Sequence, residues 1–125
     1  MVEDRACTEW FQFVEAPAFA RFREEYLDDD GFSELQQYLA RNPEAGDMVP
    51  GAGGIRKLRW KDPRRGKGRR GGLRIIYYCF LSEQEIWLMT LFDKAEAADL
   101  AKGEREQLRR ALEAERAVRK ARSRK

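Results

Sequence analysis

Three short runs constrain this chain more than anything else in it: I-R-K-L-R-W at 55–60, L-R-I-I-Y-Y-C-F-L at 73–81 and E-I-W-L-M-T-L-F-D-K at 85–94. Each is rich in β-branched, aromatic and aliphatic residues. A Gly/Arg/Lys loop separates the first two and the polar turn Ser82-Glu83-Gln84 separates the last two. Runs of this length between turn-forming residues predict a three-stranded antiparallel meander. Side chains alternate along a strand, so Ile55, Lys57 and Arg59 share one face, and Arg56, Leu58 and Trp60 share the other. In the second run Arg74, Ile76 and Tyr78 oppose Leu73, Ile75 and Tyr77. If Lys57, Arg59 and Arg74 lie on the same outward face, three cations converge at the centre of a sheet, where a strand holds them more firmly than a loop would.

Charge is segregated along the chain. The formal net charge of +3 covers four basic and twelve acidic residues in 1–50, ten basic and one acidic in 51–81, and eleven basic and nine acidic in 82–125. A modest total with one strongly basic block points to a binding face for an anion. The loop from Lys61 to Gly72 carries Arg64, Arg65, Lys67, Arg69 and Arg70 among four glycines. It is suited to lie along nucleic-acid phosphates; the plainer reading is a solvated turn.

At 125 residues the chain predicts one domain. Charged residues make up 38%, a high share that fits a small globular domain with a heavily charged surface. No apolar run approaches the ~18–20 residues of a membrane span. With no secretory leader pattern, Cys7 and Cys79 read as reduced core thiols of a cytoplasmic protein. Histidine is absent, which excludes His-based acid–base catalysis, Ser-His and Cys-His pairs and His-ligated metals.

Before the meander, 8–14 predicts a strand. Pro17 opens a helix with Phe19, Phe22, Tyr26 and Leu27 on one face, and Asp28-Asp29-Asp30-Gly31 breaks it. Ser33 caps a second helix that ends before Asn42-Pro43. Residues 44–54 form a loop. After the meander come a short helical turn at 95–100, an interruption at Gly103 and a helix over 104–119, with a basic tail from about 117 expected to fray. Helices covering one face of a mainly antiparallel sheet give a two-layer α+β fold.

The motif G-x-G-G-[ILV]-R-K-L-R-W, a basic Gly-containing loop, R-G-G-x-R-[IV]-I-Y-Y, a hydrophobic strand and then aromatic-x-Lys-x-Glu-x-x-D-L run in this order from Gly51 to Leu100. Together they resemble the RelE/HigB-type toxins of bacterial toxin–antitoxin pairs, and the likeness extends from about Thr8 to the C-terminal helix. It implies a RelE-like α+β fold with an N-terminal helical pair and a C-terminal helix, and metal-independent, cofactor-free cleavage of mRNA on the ribosome, at the decoding site of the 30S subunit. It also implies neutralisation by a cognate antitoxin, commonly a helix-turn-helix protein, with operator DNA met only through that complex. Carried over by position, the family's cations fall on Lys57, Arg59, Arg74 and Lys94. Asp93 stands where the family often has a small residue, and its charge would raise the pKa of Lys94.

Metal-free RNA cleavage needs the 2′-hydroxyl deprotonated, the phosphorane charge stabilised and the leaving 5′-oxygen protonated. Arginine's planar fork suits phosphate oxygens, which assigns Arg59 and Arg74 to phosphate. Lysine crowded by other cations gives up its proton more readily, which makes Lys57 the base or positioning group and Lys94 the acid. Arg56, the loop cations and Tyr78 are assigned to RNA binding, Tyr78 by stacking a base or bonding a sugar. The alternatives are a non-catalytic nucleic-acid-binding module and a regulatory module whose basic groove receives an acidic antitoxin segment.

Overall fold

Residues 73–80 are apolar on both faces apart from Arg74, so this strand must be covered on both sides. In a computed structural model of the chain, which describes residues 11–61, 72–94 and 100–123, it is the centre of a five-stranded sheet. The elements are β1 (Gln12–Glu15), α1 (Pro17–Tyr26), α2 (Asp29–Arg41), β2 (Asp47–Met48), β3 (Arg56–Trp60), β4 (Leu73–Phe80), β5 (Glu85–Asp93) and α3 (Lys102–Ser123). Strand order is β1-β5-β4-β3-β2. The β2–β3, β3–β4 and β4–β5 pairs are antiparallel, and β1 lies parallel to β5. The fold is α+β. The expected first strand overlaps β1, with 8–10 outside the described residues, and the turn expected at 95–100 lies outside them except for Leu100. Among the described residues no helix is long and apolar enough to cross a membrane.

Consecutive residues Ile75 and Ile76 are both completely buried, yet they belong to different cores. On one side of the sheet Leu58, Leu73, Ile75, Tyr77, Ile86 and Leu88 pack with Phe19, Tyr26, Leu35 and Leu39 of α1 and α2. On the other, Ile55, Ile76, Phe80 and Met89 pack with Leu108 and Leu112 of α3. The two-layer expectation is therefore corrected to three layers, with the helix pair and α3 on opposite faces of the sheet. The helix pair is also not N-terminal, since β1 precedes it.

Three local expectations change for identifiable reasons. The aspartate run does not merely end α1: Asp28 caps α2, its carboxylate accepting from the Gly31 N–H at 2.7 Å, and Asp29 and Asp30 lie in the first turn, where the helix dipole favours acids. Ser33 is thus inside α2. Gly103 does not interrupt α3, which contains it and continues to Ser123. The fraying expected from about 117 does not occur through that residue, because Arg119 is tied down. It donates to Glu115 at 2.8 Å, to Glu83 at 2.9 Å and to Glu85, and its guanidinium lies 3.8 Å from the Phe80 ring centroid. These bonds, those to Glu85 and Glu83 foremost, push the Arg119 pKa above its ordinary value against the cost of burial.

Candidate nucleic-acid interface

The register fixes which cations meet. Arg59 is directly opposite Arg74, Lys57 is opposite Ile76, and Arg74 is opposite Phe92 on the far side. Directly opposed residues project to the same side, so Lys57, Arg59 and Arg74 share the face that also carries Ile55, Ile76 and Tyr78, as the alternation predicts. Arg59 is exposed and Lys57 half-buried. Arg74 is only 7% exposed, and one of its terminal N–H groups donates to the Leu73 carbonyl at 3.2 Å. A buried guanidinium facing another across a strand pair is a costly arrangement, because opposed like charges destabilise a sheet.

The face is not wholly outward. α3 covers its Ile55–Ile76–Met89 region, and of the two opposed arginines only Arg59 is exposed. Lys94 reaches the end of the sheet marked by these arginines: its backbone N–H donates to the Gly72 carbonyl at 2.8 Å, and its side chain is exposed. Asp93 is completely buried. It lies opposite Leu73, on the side of the helix pair and away from Arg74.

Two of the residues expected to bind RNA have other partners. Arg56 projects to the helix-pair side, where one terminal nitrogen donates to the carbonyls of Glu44 at 3.1 Å and Gly46 at 2.7 Å. It clamps the chain that leads from α2 into β2, on the side of the sheet away from Lys57, Arg59 and Arg74. The neighbouring Tyr77 hydroxyl accepts from the Gly46 N–H at 2.9 Å, and burial raises the Tyr77 pKa. A β-carbon on Gly46 would come within 2.9 Å of the Lys57 carbonyl, so only glycine allows this approach. Tyr78 does lie on the cation face, but Arg116 of α3 occupies it. The guanidinium sits 5.0 Å from the ring centroid and donates to the Tyr78 hydroxyl at 2.7 Å and the Gly53 carbonyl at 3.0 Å. That removes the hydroxyl and one ring face from the stacking role expected for Tyr78.

Arg64, Arg65, Lys67, Arg69 and Arg70 lie outside the described residues. Sequence reasoning missed Asp47, which stands directly across from Lys57 on β2 and places one carboxylate beside the cations. A two-residue strand inside a glycine-rich loop gives no periodicity from which to find it. It also missed the Arg116 and Arg119 staples, which look like ordinary charges of a solvated helix. No family model matches the chain.

Proposed function

We propose that the open end of the cation face is the active site of a metal-independent endoribonuclease, the toxin of a RelE/HigB-type toxin–antitoxin pair, acting on mRNA at the ribosome. The observation that carries the reading is the direct opposition of Arg59 and the buried Arg74, with Lys57 two residues along the same face. A sheet serving only stability gains nothing from facing cations, whereas a phosphorane needs donors converging from fixed positions. The sequence motifs between Gly51 and Leu100 support this family reading, with the fold read as a RelE-like arrangement in which β1 precedes the helix pair and α3 covers the second face.

In the proposed reaction the 2′-oxygen forms a bond to phosphorus as the bond from phosphorus to the 5′-oxygen breaks. The products are a 2′,3′-cyclic phosphate and a free 5′-hydroxyl. Arg59 and Arg74 hold the non-bridging oxygens. Lys57 orients the 2′-hydroxyl or takes its proton, and Lys94, at the same end of the sheet, returns a proton to the leaving oxygen. The antitoxin, a helix-turn-helix protein by the resemblance, would neutralise this face.

The test is induced expression of the chain beside its Arg74→Ala variant, with growth followed and a reporter transcript mapped by primer extension. Growth arrest and discrete cuts in translated message are expected, with cutting reduced at least about tenfold in the variant; loss of one such donor costs about 10²–10³ in comparable sites. Unimpaired growth with intact message, given soluble protein, would instead favour a binding module. Equal cutting by the variant would remove Arg74 from the site.

A further inference from the structure

Among the cations of α3 two groups stand apart. Arg109, Arg116 and Arg119 are used by the fold: Arg109 with Glu106 and Glu113 at 2.8 Å each, Arg116 with Tyr78 and Gly53, and Arg119 with three glutamates. Lys102 and Arg105 have no ion-pair partner within 4 Å among the described residues. Both line a cavity of about 260 Å³ between α3 and the loop after β2, whose other walls are Pro50, Gly51 and Glu106.

The electrostatics of this cavity favour an anion. Glu106 is its one acid, and that charge is already met by Arg109, whose guanidinium holds the carboxyl below the usual carboxylate range. Lys102 also acts on that carboxylate, and with two cations against one acid the lining stays net positive. Gly51 has φ +72°, and a β-carbon there would meet nothing within 4 Å, so its bare backbone forms an open wall that a ligand can approach closely.

Both walls are joined by short stretches of chain to neighbours of Lys57. Pro50 follows Asp47, the cross-strand neighbour of Lys57, by three residues. Leu100, two residues before Lys102, is buried in the same cluster as Ile76, the neighbour of Lys57 on its other side.

We propose that this cavity is a subsite for a backbone phosphate of the RNA flanking the scissile one, held by Lys102 and Arg105. The proposal rests on the ribonuclease reading of the sheet face. A strand of RNA that crosses Arg59, Arg74 and Lys57 and runs on toward the start of α3 would meet these two cations. Arginine offers paired donors to phosphate and lysine a compact point charge.

The probe is a fluorescent 2′-O-methyl hexaribonucleotide, which cannot be cut because its 2′-oxygen is blocked. Its binding is followed by anisotropy across a salt series for the full chain, for the Lys102→Gln/Arg105→Gln variant and for the Lys102→Arg/Arg105→Lys variant. Far-UV circular dichroism checks that both variants fold. Losing one phosphate contact should flatten the dependence of log affinity on log salt by about 0.7 in the Gln variant, while the charge-preserving variant keeps the parent slope. An unchanged slope in the Gln variant overturns the subsite and leaves the ribonuclease reading standing. No binding by the parent chain overturns both. A flattened slope together with full cutting by Arg74→Ala would keep the phosphate subsite and remove Arg74's role in the ribonuclease reading.

Discussion

Replacing Arg59 by Gln keeps an aliphatic stem on β3 and removes one of two guanidinium groups that the register sets face to face. The Cβ atoms of directly opposed residues lie about 4.5–5.5 Å apart, and such pairs shift stability by roughly 0.2–1 kcal/mol, unfavourably for like charges. Arg59 is exposed while Arg74 is 7% exposed, so water screens much of the repulsion and the lower part of that range applies, about 0.2–0.5 kcal/mol. Arg59→Gln should therefore raise the urea midpoint at low ionic strength without changing the slope of the transition. At ~1 M salt, where the Debye length is ~3 Å, most of the gain should disappear. RNA cutting should fall by about 10²–10³ in the same protein. The combination is the informative part, since a charge kept at a cost to stability and needed for activity has been kept for its chemistry. Destabilisation at low salt would refute the repulsion argument, and a gain with undiminished cutting would refute the role given to Arg59.

Two further predictions concern residues outside the site. Arg56→Met frees the carbonyls of Glu44 and Gly46, which should cost about 1–3 kcal/mol in urea denaturation while leaving cutting per folded molecule unchanged; reduced RNA affinity with unchanged stability would return Arg56 to the binding face. Burial, aided by the charge of Glu44, pushes the Cys79 thiol up to about 11. Between an unfolded-state value of about 8.5 and that folded value the unfolded chain ionises first, so this thiol's contribution is intact below the lower value and declines as pH rises through the interval. Native Cys79 should then resist iodoacetamide at pH 8 and react on unfolding, and rapid native labelling would contradict the burial argument.

The period of two in 55–60 and 73–80 was enough to read both faces of β3 and β4, and with them the convergence of Lys57, Arg59 and Arg74. What the sequence concealed was long-range partnership. Arg56 counts toward the same basic block as Arg59, but its place is set by the carbonyls of residues 44 and 46, which no local pattern marks. Arg119 sits in a basic run that reads as a fraying tail, yet Glu83 and Glu85, more than thirty residues earlier, hold it in a helix. Asp28 and Ser33 are both good capping residues. Asp28 takes the position because Asp29 and Asp30 then fill the first turn, which starts α2 four residues before Ser33.

The composition of β4 also bears on why a site forms where it does. A strand apolar on both faces demands cover on both, and completely burying an Ile or Leu contributes ~1.5–3 kcal/mol. Ile55 and Ile76 on the cation face therefore call for a helix above them, and Leu108 and Leu112 supply it. Extending cover over Arg59 as well would enclose two opposed guanidinium groups, since Arg74 is already buried, a loss that apolar contact would not offset. The pattern of β3 and β4 consequently sets where α3 lies, over the isoleucines and short of Arg59. Arg59 stays exposed beyond that cover, with the buried Arg74 across from it. In this fold the boundary between core and site is drawn by the same alternation that builds the sheet.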